Sequence, residues 1–223
     1  MTPVAELLMQ ALHHKNIYAE FPYSTIPADM HGGGGLPIFQ SVMDAARPNL
    51  VVEVGSWKGS SAIRMAGLMQ EYGIPGAILC VDTWLGGLDH IDKPMAPEWD
   101  IGRYRQHGYP SLYYQFLANV MHAGMQDYIV PFPNTSAIGA RWLARHNIPA
   151  DVVYVDASHD EEDVYQDAVD YWKVLRPGGV MFGDDWSDYW PGVVNAITRF
   201  AGEQGVQLHS EGVTWLLIKP APA

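Results

Sequence analysis

The chain has 223 residues, of which 48% are hydrophobic and only 17% charged, with a formal net charge of −12. This length suits one α/β domain with some decoration, and the acidic balance excludes bulk binding to a nucleic-acid backbone or an anionic membrane. No apolar run approaches the ~18 residues of a membrane span, no secretion signal is legible at the N-terminus, and the single cysteine, Cys80, allows no intramolecular disulfide, so a cytoplasmic setting is expected.

Residues 3–18 read as an amphipathic helix, with Val4, Leu7, Leu8, Ala11 and Leu12 on one face. It could cover a sheet or join a second subunit, so a homo-oligomer through this helix is an expectation. Residues 21–37 hold three prolines and the run Gly32 to Gly35, which rule out regular structure. They form either a connector or a gate, with Met30 and His31 touching ligand when closed. Residues 1–47 are thus read as a helical extension plus gate, and 48–223 as the main domain.

A short helix over 38–47 precedes Leu50–Val54, a buried strand. The turn Gly55-Ser56-Trp57-Lys58-Gly59-Ser60-Ser61 then leads into a helix carrying Ala62, Ala66 and Met69. Glycines between strand and helix let backbone approach a ligand closely. The form is G-x-x-x-G, without the dinucleotide fingerprint or the Gly-Lys-Ser/Thr of a phosphate loop, which favours a ligand lacking a pyrophosphate. Ala77–Val81 is the second strand, with Cys80 as a small buried residue. Asp82 ends it, about 23 residues past the second glycine. An acid there either accepts both hydroxyls of a ribose or caps the loop.

Residues 85–120 are rich in Gly, Pro and aromatics and show no strand pattern. A long irregular segment in a compact domain is usually functional. The expectation is a substrate lid walled by Trp99, Tyr104 and Tyr109, or else a helical decoration with those rings packed inward; residues 111–123 return to helix. Tyr128–Phe132 is a third strand, placed at a sheet edge by Pro131. A helix follows to about Asn147, with Ser136 as its cap and its hydroxyl within reach of a ligand.

The most informative stretch is 151–190. Val152–Val155 reads as a strand ended by Asp156, and a helix follows with Val164, Ala168, Tyr171 and Leu175 on one face. Pro177-Gly178-Gly179 turns the chain into Val180–Phe182, which ends at Asp184-Asp185. Strand, helix, strand makes the two strands parallel. As neighbours they lie about 4.8 Å apart, so three carboxylates converge where open α/β sheets bind ligands. Anions that close repel, and a hard divalent cation is the simplest way to hold them. His159 lies within reach of the same spot. The plainer alternative is aspartates that cap helices or face solvent. A helix over Gly192–Gln204, with Val193, Ile197 and Phe200 inward, and a strand over Val213–Ile218 close the chain.

Glu53-Val54-Gly55 at the first strand end, Asp82 at the second and the Pro177-Gly178-Gly179 turn together resemble class I S-adenosylmethionine-dependent methyltransferases, over roughly residues 48–220. The resemblance implies a Rossmann-like, doubly wound, seven-stranded and mostly parallel sheet whose last strand is antiparallel. Within that class, Asp156-Ala157-Ser158-His159 and Asp184-Asp185 are similar to the metal-dependent catechol and macrolide-sugar O-methyltransferases, and a histidine at the fourth position is nearer the sugar group. That likeness implies Mg2+ held by Asp156, Asp184 and Asp185, His159 as base, and S-adenosylmethionine cradled by Glu53, Gly55, Ser61, Asp82, Thr83 and Trp84, with Ser136 near the adenine and Asp156 beside the cosubstrate. The expected substrate is a small molecule with vicinal oxygens, of natural-product type.

A metal and a base belong together on energetic grounds. Neutral histidine has a pKa of about 6.5, and an alkyl hydroxyl is about as weak an acid as bulk water, about 15.7. The unaided proton transfer is uphill by about 12 kcal/mol, and a divalent ion narrows that gap. Two rivals stay open: a metal-independent O- or N-methyltransferase, and a nucleotide-binding protein of other activity on the same scaffold.

Overall fold

The computed structural model of the chain describes residues 1–31, 37–92 and 96–221. The strands are β1 (Leu50–Val54), β2 (Ala77–Asp82), a two-residue pair β3 (Arg105–Gln106) and β4 (Tyr109–Pro110), β5 (Ile129–Pro133), β6 (Ala150–Val155), β7 (Leu175–Gly183), β8 (Leu208–Glu211) and β9 (Thr214–Ile218). The helices are α1 (Pro3–His13), α2 (Pro37–Ala46), α3 (Ser60–Glu71), α4 (Leu88–Ile91), α5 (Leu112–His122), α6 (Ser136–Arg145), α7 (Glu161–Val174) and α8 (Pro191–Gln204).

The apolar runs assemble into one seven-stranded sheet ordered β5-β2-β1-β6-β7-β9-β8. β5, β2, β1, β6 and β7 are parallel, and β9 and β8 are antiparallel additions. β1 is buried at every position, as a central strand covered on both faces must be. Pro131 does lie on an edge strand, β5. The chain winds outward from β1 to β2 on one side and later to β6 on the other. That reversal opens a crevice at the carboxyl ends of β1, β2 and β6.

The helical stripes are inward on α7, where Val164, Ala168 and Tyr171 are buried, and on α8, where Val193, Ile197 and Phe200 are. α1 differs from expectation. It stops at His13 because His14 adopts a left-handed conformation (φ 58). Its buried face is Ala5, Leu8 and Met9, laid on β2 and β5, and Leu7 is 72% exposed. Pro177-Gly178-Gly179 is not a separate turn but lies inside β7, where the pairing with β6 shifts register between Ala150 and Val152. β8 was not foreseen: only Leu208 in it is even partly buried, so it carries no alternating signal. Residues 97–99 and 101–104 form 3-10 turns between α4 and the β3–β4 hairpin. In the N-terminal segment a 3-10 turn spans Tyr23–Thr25, and the glycine run of the expected gate lies outside the described residues.

Candidate active site

The parallel strands bring their carboxyl ends to one cavity of about 570 Å³. Its floor is the turn after β1. Gly55 has φ +85, and a Cβ there would sit 2.2 Å from the Asp156 carbonyl oxygen, so only glycine lets the turn pass the tip of β6. Two carboxylates hold the turn. Asp82 Oδ2 accepts from the Ser56 and Trp57 N–H groups at 2.8 and 2.9 Å, and Oδ1 from the Trp84 N–H at 2.7 Å. A carboxylate offers about four acceptor positions, and these three N–H groups take most of those of Asp82.

Glu53 is fully buried beneath the turn and does not line the cavity. Its oxygens accept from the Ser61 and Ser56 hydroxyls at 2.5 Å each, with Cys80 Sγ at 3.3 Å. Burial pushes its carboxyl up to about 7 despite those donors. Glu53 thus meets the two serines beneath the turn rather than the cavity wall. Trp84 also leaves the wall. Its ring packs on Tyr113 and Phe116, and its Nε1–H donates to the Trp57 carbonyl at 2.8 Å. Gly55, Ser61, Asp82 and Thr83 do line the cavity.

On the β5 side, Thr135 rather than Ser136 caps α6, accepting from the Ile138 N–H at 3.3 Å. Ser136, one residue on, instead donates its hydroxyl to Asp167 of α7. Asp167 escaped the sequence reading, although it sits beside Ala168 in the buried stripe of α7 and faces the cavity. Burial pushes its carboxyl up to about 7, against the Ser136 donor.

On the other side lie the acidic strand tips. Val155 pairs with Gly183, so Asp156 and Asp184 leave adjacent strands at the same level. Burial first, then the Asp185 and Asp184 anions, raise the Asp156 carboxyl well above the usual carboxylate range, against a 3.0 Å hydrogen bond from the Tyr154 hydroxyl. Burial and Asp185 take Asp184 up to about 6. Among the described residues no lysine or arginine lines the cavity.

His159 answers part of this charge. Its Nε2 is 2.9 Å from Asp185 Oδ2, its Nδ1 is 2.9 Å from Asp89 Oδ2, and its ring stacks on Trp190 at 3.6 Å. Burial opposes a charge on the ring, but the hydrogen bonds to Asp185 and Asp89 outweigh it and raise its pKa to about 9. In this arrangement both ring nitrogens of His159 are engaged, and the two carboxylates favour its charged form. Asp89, on α4, was also missed: it lies 70 residues away in a segment without pattern. Among the described residues no three His, Cys, Asp or Glu side chains form a ready metal-holding group, and an oxygen of Asp185 is turned to His159. The donor set suits a hard divalent ion once Asp185 leaves His159.

The segment after β2 joins Trp57 in an aromatic wall. Trp57 stacks on His90 at 4.2 Å, and Trp99 is 5.8 Å from it. Tyr104 stands behind, edge-on to Trp57, and its hydroxyl donates to Asp29 Oδ2 at 2.6 Å. Tyr109 is 70% exposed on the hairpin and is no pocket wall. Asp29 Oδ2 also pairs with the fully buried Lys58 at 2.9 Å, and Oδ1 lies 2.9 Å from His31 Nε2. His31 lines the cavity and Met30 does not.

This sheet, with its ligand crevice at the strand tips, is the architecture of class I S-adenosylmethionine-dependent methyltransferases. The chain belongs to the methyltransferase-domain family, whose model matches residues 52–186, and it is an S-adenosylmethionine-dependent methyltransferase. Its fold is similar to that of a Bacillus cereus O-methyltransferase solved with S-adenosylhomocysteine, at 15% identity and TM-score 0.56, covering 97% of this chain and 90% of that one. It is also similar to TomG, an O-methyltransferase of Streptomyces achromogenes involved in tomaymycin synthesis and solved with S-adenosylmethionine, at 14% identity and TM-score 0.57, covering 98% and 91%. The O-methyltransferase NovP is 15% identical with TM-score 0.63, covering 97% and 98%. Identities this low speak for the fold alone. No protein with a curated description matches the chain by sequence.

Proposed function

We propose that this enzyme is a magnesium-dependent O-methyltransferase acting on a hydroxyl of a small molecule with vicinal oxygens, a sugar or catechol-like natural product. The observation that carries this reading is the convergence of Asp156, Asp184 and Asp185 at two adjoining strand tips, on a cavity lined by no lysine or arginine among the described residues. Asp156, Asp184 and Asp185 would hold the ion, which would supply acidity to the acceptor hydroxyl. That the similar folds include O-methyltransferases agrees with oxygen as the acceptor atom.

The residues divide the work as follows. The Gly55 turn, Ser61, Asp82 and Thr83 seat the cosubstrate, while Glu53 and Trp84 hold that seat from behind. The acceptor oxygen donates a lone pair to the methyl carbon, and the carbon–sulfur bond breaks with its electrons going to sulfur. The hydroxyl proton passes to His159 Nε2. For that, Nε2 must be free of Asp185, as it would be were Asp185 to help hold the ion, while Asp89 keeps Nδ1–H and so fixes the tautomer. Residues 85–120 would close over the acceptor as a lid on the 48–223 domain, with 21–37 as a gate beside it.

One observation favours a second reading. Asp185 is engaged with His159 and no metal group is ready-made among the described residues, which suits a metal-independent methyltransferase. Methyl transfer to a panel of catechols and glycosides, with magnesium and with saturating chelator, separates the two. Asp156→Asn should lose metal-stimulated turnover while binding S-adenosylhomocysteine almost as before. Undiminished turnover in chelator overturns the metal assignment.

A further inference from the structure

We infer that Tyr154 is a positioning residue for the proposed magnesium site: its buried hydroxyl fixes the Asp156 carboxylate in the attitude from which, with Asp184 and Asp185, it would hold the ion. This rests on the magnesium reading of the site and adds to it a residue that does not line the cavity.

The ring is placed by the sheet and by α2. Tyr154 lies on β6, in register with Glu53 of β1 on one side and Phe182 of β7 on the other, and it is fully buried. Phe39 of α2 meets the ring edge-on at 5.1 Å, and Phe182 meets it tilted at 4.9 Å. Phe39 and Phe182 also touch each other, at 5.7 Å between ring centres. Packing therefore holds the ring, whatever the hydroxyl bonds.

The hydroxyl then has one direction to serve. Residues two apart on a strand share a face, which brings the ring tip of Tyr154 to Asp156, and the hydroxyl donates to Oδ2 at 3.0 Å. The acceptor positions left on that carboxylate are those an ion would use. Each of the three carboxylates has a donor of this kind. The Asp185 N–H holds Asp184 Oδ1 at 2.8 Å, and His159 Nε2 lies 2.9 Å from Asp185 Oδ2. Those two donors belong to loops at the strand tips, whereas Tyr154 is rooted in the core.

A neutral hydroxyl suits this role better than a cation. Lysine or arginine at that point would hold the carboxylate as firmly but cancel the charge that attracts an ion. Without any donor, a carboxyl beside two others turns away from their charge. Tyrosine leaves the charge in place and removes the freedom to turn, so less ordering is left to accompany binding. Partners that orient a metal ligand in this way matter by about 10–100-fold in metal affinity.

The test compares the wild type with Tyr154→Phe, which keeps the ring and its packing and removes only the hydroxyl. Both proteins, saturated with S-adenosylhomocysteine, are titrated with Mn2+ as a paramagnetic stand-in for Mg2+, and the free ion is counted by electron paramagnetic resonance. The variant should bind the ion about 10-fold more weakly or worse, while calorimetry gives it the wild-type affinity for S-adenosylhomocysteine. Equal ion affinity in the two proteins overturns the assignment. So does a parallel loss of S-adenosylhomocysteine affinity, which makes the hydroxyl a general support of the fold. If the wild type binds no ion, the magnesium reading itself has failed and the Tyr154 role falls with it.

Discussion

Replacing Glu53 by glutamine should flatten the pH dependence of stability. Burial moves this carboxyl from 4.5 to about 7 in the folded chain, which at 1.36 kcal/mol per unit is about 3 kcal/mol. The folded pKa lies above the unfolded one, so the folded chain binds the extra proton. Its stabilisation is fully present below about pH 4.5 and is lost as pH rises through about 7. Glu53→Gln stays neutral throughout. Its amide can still serve Ser56 and Ser61, because each hydroxyl both donates and accepts. Urea unfolding of both proteins without cosubstrate, from pH 5 to pH 8, reads the difference. The wild type should lose about 2–3 kcal/mol more than the variant over that range. Asp167 and Asp184 are raised in both and cancel, while the Glu53 charge is the least of the causes that raise Asp156, so its removal changes that group only a little and in the same direction. Parallel pH profiles would refute a buried, titrating Glu53.

Gly55→Ala forces a Cβ to within 2.2 Å of the Asp156 carbonyl at φ +85; a calorimetric scan should show the melting temperature falling by roughly 5 °C or more, and an unchanged value would contradict the close approach. His159→Ala should slow methyl transfer by about 10²–10⁴ with cosubstrate binding intact, and an unaltered rate removes it from the base role. Asp89→Ala should cost about 10–100-fold in kcat through its hold on Nδ1, a loss that Asp89→Glu should partly restore; kcat at the wild-type level would make the contact incidental.

The sheet was legible because its strands are apolar runs punctuated by Gly, Pro and Asp, and the carboxylates at their tips are adjacent in sequence to those runs. Asp156, Asp184 and Asp185 could therefore be brought together from spacing alone. Side-chain direction was not legible in the same way. Glu53 alternates to a face beneath its turn, and the left-handed Trp84 (φ 53) turns its ring into the core. Leu7 and Tyr109 are apolar residues left on the surface, which composition cannot forbid. Asp89 and Asp167 were missed for a common reason: each matters through a partner far away in the chain, His159 and Ser136, and neither pairing leaves a local pattern.

That no lysine or arginine among the described residues lines the cavity also bears on the catalytic cycle. A sulfonium is cationic before transfer, and the thioether left behind is neutral. Cavity carboxylates that no cation neutralises attract the first through their field and offer the second nothing for the charge it has lost. Any pull that those carboxylates exert on the donor's sulfonium therefore ends with the transfer itself.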